Sequence, residues 1–281
     1  MSIDKCDILE FKLSQMVNDP SIVMIAKRGS GKSFVSRDIV YHYRRMPGGV
    51  VIAPTDRMNS FYKFFFPDLF IHYDIKEIIL KKILIRQLMM VHKAQVKEKQ
   101  GKKVDPSCIL IMDDCLSRKK SWAKDENIIE ILMNGRHYRL TYVLTMQTPL
   151  GITPDLRLNF DYIFLLKEDS TINKKKLWDN YASMFPTLNS FEQVFRKCTE
   201  DYRSMVIDNR KPSDSVQEKV FWFRAKDRKF TFGSKKFIRL HKKYHDPGYA
   251  AKKFKIDQGA VFGKKKKNEI DFKVDLKQSK A

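Results

Sequence analysis

No run of 18 or more apolar residues occurs in the 281-residue chain, so no membrane-spanning helix is expected. The first residues, "MSIDKCDILEFKLSQ", lack the charged start and apolar middle of a signal peptide. The four cysteines, Cys6, Cys108, Cys115 and Cys198, never pair as C-x-x-C. That argues against a zinc ribbon or a dithiol redox motif and fits a reducing compartment. The six histidines show no ligand spacing, so no zinc site is expected. No internal repeat is visible. Negative charge is also scarce: 33 Asp and Glu stand against 55 Lys and Arg, a net +22. Such a balance points to a polyanionic partner, nucleic acid ahead of an acidic membrane surface.

What is present is an alternation. Residues 22–26, 50–53, 108–112, 141–146 and 162–166 are short apolar runs and read as buried strands. Between them, residues 32–45, 75–99 and 127–134 read as helices, and "PGG" at 47–49 breaks the first. Strands separated by helices or long crossovers predict an α/β fold with a mostly parallel sheet flanked by helices.

The first strand runs into "AKRGSGKS", residues 26–33. A strand that ends in a Gly-rich turn and opens a helix aims several backbone N–H groups at one point, where the helix dipole adds partial positive charge. This is a phosphate-binding loop with one departure, Ala26 where the pattern has glycine. The expected nucleotide contacts are Lys27, Arg28, Gly29, Ser30, Gly31, Lys32, Ser33 and Phe34. Gly29 and Gly31 supply conformations that a Cβ obstructs. Lys32 offers a point charge to the β- and γ-phosphates, and Ser33 offers its hydroxyl to Mg²⁺. Ala26 is tolerable provided its φ is negative, since only its backbone need face the ligand.

"CILIMDDC", residues 108–115, has the Walker B form of an apolar strand ending in acid. Asp113 would reach Mg²⁺, and Asp114 would serve as general base toward the attacking water. Two acids at a strand end are also common as loop or cap residues. Further on, "NGRHYRLTYVLTMQTP", residues 134–149, carries a strand that ends in Gln147. If that strand lies between the other two, Gln147 sits close to the γ-phosphate and orients water. Arg136 and Arg139 precede the strand and so belong at its far end. From there an Arg reaches a neighbouring subunit's site more readily than its own. Either Arg reads equally well as a solvated or DNA-contacting cation.

These three blocks, in this order and spacing, resemble the FtsK–HerA superfamily of P-loop motor ATPases. They are most similar to the genome-packaging ATPases of nucleocytoplasmic large DNA viruses, over roughly residues 20–170. The resemblance implies a RecA-like core with the Gln strand between the loop strand and the Walker B strand. It implies ATP and Mg²⁺ as ligands and a homo-oligomeric ring, a pentamer or hexamer, that pumps double-stranded DNA into a capsid. Partners would then include capsid or portal proteins, and the location the cytoplasmic viral factory and the virion, with nuclear entry left open. Arg136 matches the family's arginine finger, supplied in trans, better than Arg139. The family often has Asp-Glu where this chain has Asp113-Asp114.

Two other readings of the P-loop stay open: a nucleotide or nucleoside kinase, and a non-catalytic basic nucleic-acid-binding protein. The aromatic stretch at 53–70 reads as core packing ahead of a stacking surface. The charged tip at 97–103 reads as solvated or as facing a DNA channel. The expected domain boundary lies at 234/235. Beyond it, 15 Lys and Arg stand against 5 Asp and Glu in residues 235–281, with "KKKK" at 264–267. That composition predicts a basic, partly disordered tail, and the Lys run would also suit nuclear import.

Overall fold

Along Ser21–Ile25, Ile22 and Met24 join one apolar cluster, while Val23 and Ile25 join another. Successive side chains of a strand point to opposite faces, so both faces of this strand are covered. The same split recurs along Cys108–Asp113, with Ile109 and Ile111 on one side and Leu110 and Met112 on the other. This is why the strands read as continuous apolar runs rather than as alternation.

The computed structural model describes residues 7–115 and 125–248. The strands are β1 (Leu9–Glu10), β2 (Ser21–Ile25), β3 (Gly49–Ile52), β4 (Ile71–His72), β5 (Cys108–Asp113), β6 (Leu140–Met146), β7 (Tyr162–Leu165), β8 (Arg203–Asp208) and β9 (Val220–Arg224). They form one sheet in the order β1-β9-β8-β7-β2-β6-β5-β3-β4. β8 runs antiparallel to β7 and β9, and the other pairs are parallel. The helices are α1 (Lys32–His42), α2 (Asp56–Asn59), α3 (Glu77–Glu98), α4 (Glu126–Asn134), α5 (Pro154–Arg157), α6 (Thr171–Tyr181), α7 (Leu188–Cys198), α8 (Val216–Lys219) and α9 (Lys235–Tyr244).

One face of the sheet packs on α3, α4, α6 and α7, through Leu80, Ile83, Ile128, Ile131, Leu177, Phe191 and Phe195. The other packs on α1, through Val35, Ile39 and Val40, and on a set of aromatic rings. Three of those rings come from the aromatic stretch: Tyr62, Phe65 and Phe66 are buried, while Phe64 is exposed. The stretch is therefore mainly core. Cys108, Cys115 and Cys198 are buried thiols outside any disulfide. Burial in the apolar interior pushes the Cys108 thiol up to about 11. Among the described residues no helix is long and apolar enough to cross a membrane.

The five sequence-predicted strands appear with ends shifted by a residue or so, and β6 lies between β2 and β5 as expected. β8 and β9 extend the sheet on one side with antiparallel strands that the apolar-run reading passed over. The helices α6 and α7 were likewise passed over. The boundary expected at 234/235 falls at the first residue of α9. The first compact unit runs through Lys243, and residues 235–244 form α9 rather than tail. The rest of the expected tail, from residue 249 with its Lys run, lies outside the described residues.

α9 holds on through Phe237, whose ring stacks on Phe70 at 4.1 Å and meets Phe66 and Phe232 edge-on at 6.3 and 5.9 Å. Phe237→Ala should remove about 3 kcal/mol of unfolding free energy, the usual loss for a buried ring. Urea denaturation of the full chain, followed by circular dichroism, measures it.

Candidate nucleotide-binding site

β2, β6 and β5 end side by side because of their register. Ile25 pairs with Met146, and Asp113 pairs with Thr145. The Ala26 N–H then donates to the Met146 carbonyl at 2.9 Å. Ligands of open α/β sheets bind at the carboxyl ends of strands, in the crevice that such a layout leaves. A cleft of about 930 Å³ lies there. Its walls include residues of the 26–34 loop, Asp113, Asp114 and Gln147.

The loop has the conformation its glycines allow. Gly29 has φ 77° and Gly31 has φ 94°, a region that side-chain-bearing residues seldom enter. Gly31 is the N-cap of α1, so the helix begins at Lys32. Ala26 is buried and keeps a negative φ. The missing glycine thus imposes no backbone demand that alanine fails. Ser30 turns its hydroxyl inward to the Lys27 carbonyl at 2.7 Å. Arg28, Ser33 and Phe34 are exposed along the cleft. Lys27 pairs with Asp169 at 2.5 Å, and this hydrogen bond holds the Asp169 carboxyl below the usual carboxylate range.

The charged centre is compact. Lys32 Nζ lies 3.0 Å from Asp113 Oδ1, with both side chains mostly shielded from solvent. The Thr145 hydroxyl donates to the same Asp113 oxygen. Thr145 Oγ1 in turn accepts the Asp114 N–H at 3.1 Å. Asp114 is buried and sits at φ 52°, a left-handed conformation that Asp tolerates better than most residues. Its carboxylate accepts from Gln147 Nε2 at 2.5 Å. Lys32, Asp113, Asp114 and Gln147 therefore form one continuous chain of contacts.

Arg136 stands apart, in the turn between α4 and β6 at the amino end of the sheet. It pairs with Asp161, and Arg139 Nε meets Asp19 Oδ2 at 3.0 Å. The Arg136 side chain is mostly exposed and that of Arg139 a little under half. Asp19 is buried, and loss of solvation raises its carboxyl above the ordinary range against the pull of Arg139. A second, smaller cleft of about 320 Å³ lies at this end.

The sequence profile of the Poxvirus A32 protein family matches residues 9–219. The chain belongs to that family. Protein L437 of Acanthamoeba polyphaga mimivirus is 64% identical over 281 residues, 99% of either chain. Protein 075L of Invertebrate iridescent virus 6 is 31% identical over 239 residues, 83% of this chain and 89% of the relative. Among solved structures, B204, the DNA-packaging ATPase of Sulfolobus turreted icosahedral virus, superposes with TM-score 0.52 at 17% identity. That match covers 75% of this chain and 100% of B204. B204 of Sulfolobus turreted icosahedral virus 2, in complex with ATP-gammaS, gives TM-score 0.50 at 15% identity, over 75% and 99%. At these identities the likeness establishes the shared P-loop fold.

The A32-family site includes residues that sequence reading missed. Asp56, the first residue of α2, lines the cleft with its carboxylate tied to the Phe61 and Tyr62 N–H groups at 2.7 and 3.2 Å. Burial raises its carboxyl above the usual range, and those two bonds oppose the rise. Tyr202 and Arg224 line the cleft from the β8–β9 side. Thr145 was legible only as a strand residue. Its pairing with Asp113 needs the register. Thr145→Val keeps the shape but removes the hydroxyl, which leaves the Asp114 N–H without its acceptor. The loss should be about 1–3 kcal/mol of unfolding free energy, read by chemical denaturation.

Proposed function

We propose that this A32-family protein is a genome-packaging ATPase. It binds ATP in the cleft, hydrolyses it, and couples the reaction to movement of double-stranded DNA into a capsid. The observation that carries the reading is the meeting of Lys32, Asp113, Asp114 and Gln147 at the carboxyl ends of three neighbouring parallel strands.

The residues present fit a magnesium–triphosphate ligand. Lys32 and the N–H groups at the start of α1 would hold phosphate, and open space surrounds Gly29 where a Cβ would stand. Ser33 and Asp113 offer the hard oxygens that Mg²⁺ prefers. Among the described residues no three His, Cys, Asp or Glu converge on a metal position. That suits an ion that keeps waters and phosphate oxygens as ligands. When bound, Mg²⁺ would neutralise phosphate charge.

Asp114 takes a proton from water as general base. The Gln147 amide holds Asp114 through Nε2 and keeps Oε1 free to accept from that water. Base and orienting group thus act as a unit. Arg136 serves a neighbouring subunit, across a ring of identical chains. The excess of Lys and Arg grips the DNA backbone without reading its sequence. Capsid or portal proteins are the docking partners that this activity requires, at the cytoplasmic viral factory and in the virion.

Purified protein should hydrolyse ATP faster with double-stranded DNA, and Lys32→Ala should lose turnover roughly a hundredfold. Phosphate transfer to a nucleoside instead would favour a kinase, and absent turnover a binding protein. Asp114→Asn should cut turnover about a hundredfold or more while ATP still binds. Arg136→Ala subunits mixed with Lys32→Ala subunits should recover part of the activity that neither variant has alone. A protein that stays monomeric with ATP and DNA would rule out the contribution in trans.

A further inference from the structure

The cleft has one wall that the chemistry above does not use. Between α7 and β8 the chain makes a short turn, Glu200–Tyr202. Two consecutive residues of it are left-handed, Asp201 at φ 52° and Tyr202 at φ 58°. For a bulky residue such as tyrosine this is an outlier, and outliers of this kind gather at ligand clamps. The turn is fastened from behind. Arg203 Nε donates to the Glu200 carbonyl at 3.0 Å, and its guanidinium lies 3.5 Å from the Glu200 carboxylate.

The result of this backbone is an exposed ring set against the phosphate loop. Tyr202 is 73% exposed, so it is not held there by packing. Its Cδ1 lies 3.6 Å from where a Cβ on Gly31 would stand. Arg224 and Ala225 of β9 and its exit line the cleft beside it. A flat aromatic face open to a cleft, next to a loop that anchors phosphates, is what a nucleobase stacks on.

We propose that Tyr202 is the base-stacking residue of this site, so that the ligand is taken as a nucleoside triphosphate by both ends. Gly29–Ser33 hold the phosphates and Tyr202 covers the base. Stacking reads no hydrogen-bond pattern, so the site should tolerate more than one purine. The proposal rests on the nucleotide reading of the cleft.

Calorimetric titration with ATP and with inorganic tripolyphosphate, which has no base, separates the two ends. Tyr202→Asn removes the ring while keeping a residue that accepts the left-handed backbone. It should weaken ATP about tenfold and leave tripolyphosphate unchanged, and Tyr202→Phe should match wild type. Equal weakening of both ligands would overturn the proposal, as would no change in either. So would loss of assembly with unaltered ATP affinity, which would place the ring in a subunit contact. If wild type binds ATP and Lys32→Ala does not, a silent Tyr202→Asn overturns the stacking alone. If wild type binds neither ligand, the nucleotide reading fails first.

Discussion

A slip of one residue between β5 and β6 would turn Asp113 away from Lys32, because successive side chains of a strand face opposite ways. The Asp113–Thr145 register is therefore the constraint on which the site depends. It places the Thr145 hydroxyl between two consecutive acids, accepting from the Asp114 backbone while donating to the Asp113 carboxylate. The apolar clusters above and below enforce that register. Leu110, Met112 and Leu144 belong to one face, and Ile109, Ile111 and Val143 to the other. A slipped strand would exchange the two sets against helices shaped for the original ones.

The electrostatics follow from the same placement. Two carboxylates at adjacent positions repel, and partial burial strengthens the repulsion by lowering the local dielectric. Lys32 offsets one of them, and the Gln147 amide satisfies the other. The two acids are thereby given different surroundings. Asp113 faces a cation and a hydroxyl. Asp114 accepts from the neutral Gln147 amide. The left-handed backbone at Asp114 is what lets both side chains line the cleft, since an extended one would send them to opposite faces.

The sequence made the centre of this arrangement legible and left its edges dark. β2, β5 and β6 are buried on both faces, so their residues are almost all apolar, and the polar residue ending each run marks the site. Gly29, Gly31 and Lys32 follow from the chemistry of a phosphate turn. β8 and β9 carry apolar runs too, but Arg203 and Arg224 lie at their ends and their pairing is antiparallel, which local pattern does not reveal. α9 was hidden by its own charge. Only Phe237 among its ten residues is buried, so the lysines governed the composition while one ring governed the docking. Tyr202 gave no signal at all. A left-handed tyrosine is set by the turn around it, not by a propensity of the residue.

The distance between the two ends of the sheet carries a further consequence. β6 has seven residues, Leu140–Met146, with the turn holding Arg136 before it and Gln147 directly after it. At about 3.3 Å per residue, the strand sets these ends roughly 20 Å apart. β6 is flanked by β2 and β5 and buried along its length, so no hinge within it shortens that span. An Arg136 guanidinium cannot therefore serve the cleft of its own chain by any motion that leaves the sheet intact. The geometry admits two roles for it. One is structural, through Asp161, whose carboxylate also accepts from the Ser21 N–H at 2.8 Å and so ties the entry of β2 to that of β7. The other lies outside the chain. Because Asp161 is buried and Arg136 is mostly exposed, the pair can fix the base of the guanidinium while its outer N–H groups remain free for a second molecule. A contact that joins the amino end of one sheet to the carboxyl end of another is heterologous by construction, and repeated contacts of that kind close into rings or extend as filaments.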